Sequence, residues 1–123
     1  MSSKPQRVYL SYAQTDAPRI PLLLRKLEAM GLIGPNDIVV SDKDLGPGHA
    51  SLREGVRREI QSASKVVIIW SQSSASSQWV NYELGLADAF GKVIIPVVHR
   101  AELPNLPSQL NEWQAVVLGE GDA

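Results

Sequence analysis

At 123 residues, with 44% apolar and 20% charged side chains, the chain is sized for one domain built on a single core. A net charge of -1 excludes the basic footprint of a nucleic-acid binder or of a protein held on an anionic membrane. The absence of cysteine excludes disulfides and thiolate metal sites. With no apolar leader after Met1 and no run of membrane-spanning length, a cytoplasmic setting is expected.

Residues 7–12 (RVYLSY) read as a first strand, with Val8 and Leu10 on one face and Tyr9 on the other. Gln14-Thr15-Asp16 makes a turn, with Thr15 or Asp16 expected to cap the helix that follows. That helix carries an apolar stripe at Ile20, Leu23, Leu24, Leu27 and Met30; Pro18 and Pro21 fall early, where a missing N–H costs least, and Pro21 delays the regular start. Gly31 and Gly34-Pro35 stop it, and Asp37 to Ser41 is a second strand. A polar loop, Asp42 to His49, leads to a helix capped by Ser51 with Glu54 three residues on. Leu52, Val56 and Ile60 form its inward stripe, and Arg53, Arg57 and Arg58 read as solvated.

Val66-Val67-Ile68-Ile69-Trp70 is a continuous apolar run of the type that makes a buried central strand. A serine-rich loop from Ser71 to Ser77 follows, then a helix with its stripe at Trp79, Leu86, Ala87 and Phe90. Glu83 falls on that stripe, a placement that asks for a partner or a task. The helix ends near Gly91, and Lys92 to Val98 is a fourth buried strand in which Pro96 predicts an exposed end or a bulge. Beyond a Pro-interrupted stretch with one helical turn at Ser108 to Asn111, Trp113 to Leu118 reads as the last strand and the remainder as a frayed tail.

Strands alternating with helices predict an α/β, flavodoxin-like three-layer fold: a central five-stranded parallel sheet of order 2-1-3-4-5 with helices on both faces. Residues 1–123 are expected to form one domain with its core at about 7–118, and a final helix or further domain is expected beyond the end. In such sheets the ligand sits at the carboxyl ends of the strands. Those ends lack G-x-G-x-x-G, lack G-x-x-x-x-G-K-[ST], and carry Ser11 and Ser71 where a phospho-acceptor receiver needs acids.

What the ends do carry resembles a TIR (Toll/interleukin-1 receptor) domain over residues 7–118. The pieces are V-Y-L-S-Y at Val8 to Tyr12, a D-x-x-x-L-x-P-G-like loop at Asp42 to Gly48, and W-S-x-S-S at Trp70 to Ser74. W-x-x-x-E at Trp79 to Glu83 and G-K-x-I-I-P-V at Gly91 to Val97 complete the set. The compact Y-E-L-G-L-A-D-A helix is more similar to bacterial TIR domains than to animal adaptors.

The resemblance implies an NAD+ glycohydrolase or cyclase that breaks the nicotinamide–ribose bond, with Glu83 as the catalytic glutamate and NAD+ as substrate, not cofactor. It also implies homotypic TIR–TIR assembly through the BB loop (Asp42 to His49, including Gly46), a sensor domain or partner outside this chain, and a role in bacterial antiphage immunity. The chemistry agrees. Nicotinamide leaves without protonation, so a single fixed carboxylate that stabilises positive charge on the ribose suffices.

Ser11, Tyr12, Asp42, Gly46, Ser71, Ser74 and Trp79 are the expected substrate contacts. For several a plainer role competes. Trp79 packs the helix, Ser71 and Ser74 satisfy the strand end, and Asp42 caps the next turn. Ala13 and Gln14 stand where the family often carries basic residues. Asp42 and Asp44 lack a third oxygen ligand, so no metal is expected; His49 and His99 read as surface residues. The alternatives are a non-catalytic TIR interaction module or, more distantly, a nucleoside-processing enzyme such as a deoxyribosyltransferase.

Overall fold

The computed structural model describes residues 4–45 and 52–119. Strands β1 (Arg7–Ser11), β2 (Ile38–Val40), β3 (Lys65–Trp70), β4 (Val93–His99) and β5 (Val116–Leu118) form one parallel sheet in the expected order β2-β1-β3-β4-β5. The chain steps outward from β1 to β2, returns past β1 to β3, and then continues the other way. The change of direction lies between β1 and β3, where open sheets of this class hold their ligands.

Helix α1 (Ile20–Ala29) covers one face. Leu23 and Leu27 pack there with Val8, Leu10, Val67, Ile69 and Val97. Helices α2 (Leu52–Ser62) and α4 (Gln78–Ala89) cover the other, where Val56, Ile60, Val80, Leu84 and Ala87 meet Tyr9, Val66, Ile68, Ile94 and Val98. Short α5 (Ser108–Asn111) adds Leu110 to this second core. Alternate residues of β3 therefore serve two cores, which is why its sequence shows no polar alternation. Each such aliphatic side chain contributes about 1.5–3 kcal/mol on burial.

Several expectations change. No side chain of Thr15 or Asp16 caps a helix; residues Gln14–Arg19 form a 3-10 segment, and α1 starts beyond it with Pro21 in its first turn. Met30 and Leu52 are about half exposed, because they sit at helix ends past the reach of the sheet. The first half of the serine-rich loop is itself helical, α3 (Gln72–Ala75), capped by the Ser71 hydroxyl. Pro96 is buried in mid-strand with no bulge. It is paired with Ile68 of β3 and lies just outside the ladder with β5, which pairs only with Val97 to His99. The last strand is shorter than expected, and the Ser51 cap lies outside the described residues.

Helix α4 ends as the sequence indicates. Gly91 takes φ +66°, its N–H reaches Asp88 O and the Lys92 N–H reaches Ala87 O, a closing turn that favours glycine. Its buried side is Val80, Glu83, Leu84 and Ala87, one residue round from the expected stripe. Trp79, Leu86 and Phe90 are pushed to the shoulders, and Glu83 becomes the centre of the buried face. Arg53 and Arg57 are not merely solvated: their guanidinium groups lie 4.6 Å and 6.0 Å from the ring centres of Tyr82 and Phe90, tying α2 to α4. Arg58 pairs with Glu54 along the exposed side of α2.

Candidate active site

The period of two in β1 puts Tyr9 and Ser11 on the face that α4 covers, and Glu83 descends onto them. The Ser11 hydroxyl donates to Glu83 Oε1 at 2.8 Å, and the Tyr9 phenol donates to Oε2. All three residues are 1% exposed. A carboxylate withdrawn from water this far is held by the two hydroxyls of one strand.

Burial pushes the Glu83 carboxyl up to about 7 from its ordinary value near 4.5. The hydrogen bonds from Tyr9 and Ser11 pull the other way, while the charge of Asp42 raises it and that of Lys43 lowers it. The Tyr9 phenol is driven far above its usual range, first by burial and then by the neighbouring Glu83 charge, so it remains a proton donor.

Asp42 thus belongs to this neighbourhood through its field, its own carboxylate being 3.0 Å from Lys43 Nζ. It does not cap the turn. Ser41 and Asp44 do, in a reciprocal capping box. Gly46 and the rest of the BB loop to His49 lie outside the described residues.

The other expected contacts are not brought to Glu83. Tyr12 packs toward the α1 face, with Lys43 Nζ 5.0 Å from its ring centre. Trp79 packs beside the α2–α4 core with Tyr82, ring centres 5.3 Å apart, and its indole N–H has no hydrogen-bond partner among the described residues. Ser74 is fully buried and its hydroxyl donates to Ile69 O at 2.6 Å, closing the end of β3. Ser74→Ala is accordingly expected to lower stability by about 1–3 kcal/mol in chemical denaturation, because it strands a buried carbonyl.

Ser71 donates to Asp16 Oδ2 at 2.6 Å. These two line a separate cavity of about 370 Å³ with Arg19, His99 and Glu102, floored by Leu23, Ile69, Val97 and Leu118. Those floor residues belong to the α1-side core, so the cavity and Glu83 lie on opposite faces of the sheet. His99 is exposed as expected, yet its Nδ1 accepts from the Ala101 N–H and shapes the turn after β4.

Sequence reasoning missed Tyr9 and Asp16. Tyr9 was detectable: strand parity alone sets it beside Ser11. Nothing local marked Asp16, whose partner is 55 residues away.

Among the described residues, no group of three His, Cys, Asp or Glu side chains could hold a metal ion, and no helix is long and apolar enough to cross a membrane.

A family model described as TIR domain matches residues 8–122. The chain belongs to the TIR-domain family. Its fold agrees with the TIR domain of the Toll-related receptor TRR-2 from Hydra magnipapillata, at TM-score 0.69 and 19% identity over 89% of this chain and 82% of that one. The TIR domains of the activated Roq1 resistosome superpose at 0.61, with 18% identity over 85% and 65% of the two chains. The TIR sheet is also shared with a CMP N-glycosidase, BcmB, from Clostridium botulinum, at TM-score 0.60 and 18% identity over 93% and 88%. A 2-desoxiribosyltransferase from Leishmania mexicana matches at 0.53 and 17% over 76% and 65%. No curated protein matches by sequence.

Proposed function

We propose that this TIR domain cleaves the nicotinamide–ribose bond of NAD+ and that Glu83 is the residue on which the reaction turns. The observation that carries the reading is the Glu83 carboxylate itself, withdrawn from water on the α4 face of β1 and held by Tyr9 and Ser11. Family membership supports it. So does the likeness of the sheet to a CMP N-glycosidase and a 2-desoxiribosyltransferase, two proteins named for chemistry at a sugar–base bond.

The bond between ribose C1′ and the pyridinium nitrogen breaks with its electron pair going to nitrogen, so nicotinamide departs neutral and needs no acid. Positive charge develops on the ribosyl C1′ and ring oxygen. A fixed anion in a dry site stabilises that charge far better than one in water. Water then adds to C1′ and loses a proton, giving ADP-ribose; attack by an adenine nitrogen of the same molecule gives a cyclic isomer instead. Glu83 serves either outcome by holding the ribose hydroxyls and the adjacent charge.

Homotypic assembly through the BB loop, and a triggering sensor or partner outside this chain, complete the proposal as an effector of bacterial immunity acting in the cytoplasm. The competing reading, a non-catalytic TIR interaction module, draws on the same burial: Glu83 is 1% exposed and both its oxygens are satisfied by the chain's own hydroxyls. The deciding experiment is NAD+ consumption at high protein concentration or on a crowding surface, with chromatography of the products. Release of nicotinamide in step with NAD+ loss supports cleavage, and the second product separates hydrolase from cyclase. Persistence of NAD+ in the assembled protein would leave the interaction module.

A further inference from the structure

We propose that the two hydroxyls on Glu83 have different fates: Tyr9 is a positioning residue that holds Oε2 permanently, whereas Ser11 is an exchangeable partner whose place on Oε1 is taken by a substrate ribose hydroxyl. The inference deepens the NAD+ reading and rests on it for the identity of the hydroxyl. The asymmetry between the two residues stands on geometry alone.

Glu83 is 1% exposed, and Ser11 sits on Oε1 at the carboxyl end of β1, so a substrate hydroxyl arriving from that end takes the place that Ser11 holds. Tyr9 lies two residues inside the strand, paired to Val40 and Val66 on its two sides. Its ring is packed into the core with Val66, Ile68 and Leu84, and turning the phenol away would mean moving that core. Ser11 is the last residue of β1, at the carboxyl end of the sheet where ligands arrive, and one rotation about χ1 removes its hydroxyl from Oε1. The exchange trades one hydroxyl donor for another, so hydrogen bonds balance and the carboxylate never stands bare.

Tyr9 also acts through the charge of its partner. Its phenol donates to the ionised carboxylate and so opposes the burial that favours the neutral acid. Among the described residues, the charged groups that reach this pair are Asp42 and Lys43 on the turn after β2, and Glu59 on α2, whose charge acts on Tyr9. Glu59 is itself neutralised by Arg7 at 2.8 Å.

The test compares wild type, Tyr9→Phe and Ser11→Ala in two readouts. The first is the titration of Glu83 followed by the NMR shift of its 13C-labelled side-chain carboxyl, which needs no turnover. The second is the pH dependence of kcat/KM, with kcat and KM for NAD+ measured separately above the acid limb.

Tyr9→Phe is expected to move both the Glu83 titration and the acid limb upward by about one to two pH units. Ser11→Ala, measured at pH 8.5 to 9, is expected to lower KM roughly three- to tenfold, because substrate no longer competes with the chain's own hydroxyl. A Glu83 titration unmoved in Tyr9→Phe overturns the positioning role. A raised KM in Ser11→Ala overturns the exchange and returns Ser11 to a direct substrate contact. If the titration moves but NAD+ is never cleaved, Tyr9 keeps its role on Glu83, and both the exchange and the NAD+ reading fail. If NAD+ is cleaved and neither variant behaves as stated, the NAD+ reading survives and the two roles fall.

Discussion

Glu83→Gln is expected to reduce NAD+ cleavage by at least about 10²- to 10³-fold while leaving the fold intact. The magnitude is that of removing one preorganised electrostatic group from a water-excluded site. Glutamine is the right replacement because it keeps the size and the hydrogen bonds: its carbonyl accepts from Tyr9 and its amide donates to the Ser11 oxygen. Only the negative charge is lost. KM for NAD+ should change much less than kcat, because the charge matters most once the ribose has become cationic. Parallel measurement of turnover and of circular dichroism checks this. A glutamine variant within a few-fold of wild type would remove Glu83 from the chemistry.

The same substitution should stabilise the protein, and only above acidic pH. The Glu83 carboxyl titrates at about 7 when folded, against an ordinary value near 4.5. Between those values the folded protein holds a proton that the unfolded chain releases, so this group's contribution falls as pH rises from about 4.5 to about 7 and is level above. The loss amounts to about 3 kcal/mol at pH 8. Thermal unfolding of wild type and Glu83→Gln should therefore nearly coincide at pH 4.5 and separate by roughly 10 °C at pH 8, with glutamine the more stable. Taking the difference between the two proteins cancels the titrating groups that do not act on Glu83, including Asp37, whose carboxylate is held low by the Gln6 and Gly34 N–H groups. Coincident curves at pH 8 would mean that the buried charge is not destabilising. A fold that tolerates such a charge at neutral pH is trading stability for something, which is the usual position of an active site.

The sheet was legible because its information is local: runs of β-branched residues, helical stripes and glycine stops each sit within a dozen positions. Alternation and handedness indicated a parallel sheet covered on both faces, and the strand order came from the flavodoxin-like pattern that five such strands suggest. The site was legible only in part. Glu83 and Ser11 announced themselves, one as a charge on an apolar stripe and the other at a strand end. Ser74 and Ser71 looked as suited to a ligand as to the backbone, because a serine beside a strand end can serve either. Which one it serves depends on a carbonyl, Ile69 O, or an acid, Asp16, that no window around the serine reveals. Trp79 lies on the expected stripe, but the buried face of α4 is turned by one helical position to Val80, Glu83, Leu84 and Ala87, so Trp79 is only partly buried.

Tyr9 and Ser11 stand 74 and 72 residues before the carboxylate they serve. Glu83 therefore acquires its partners only when a long stretch of chain has closed and the first strand has found its seat between β2 and β3. Contacts of such separation form late and as a group. A ribosome-bound or half-folded chain carries the glutamate without its surroundings, so the proposed NAD+ cleavage would switch on no earlier than completion of the domain.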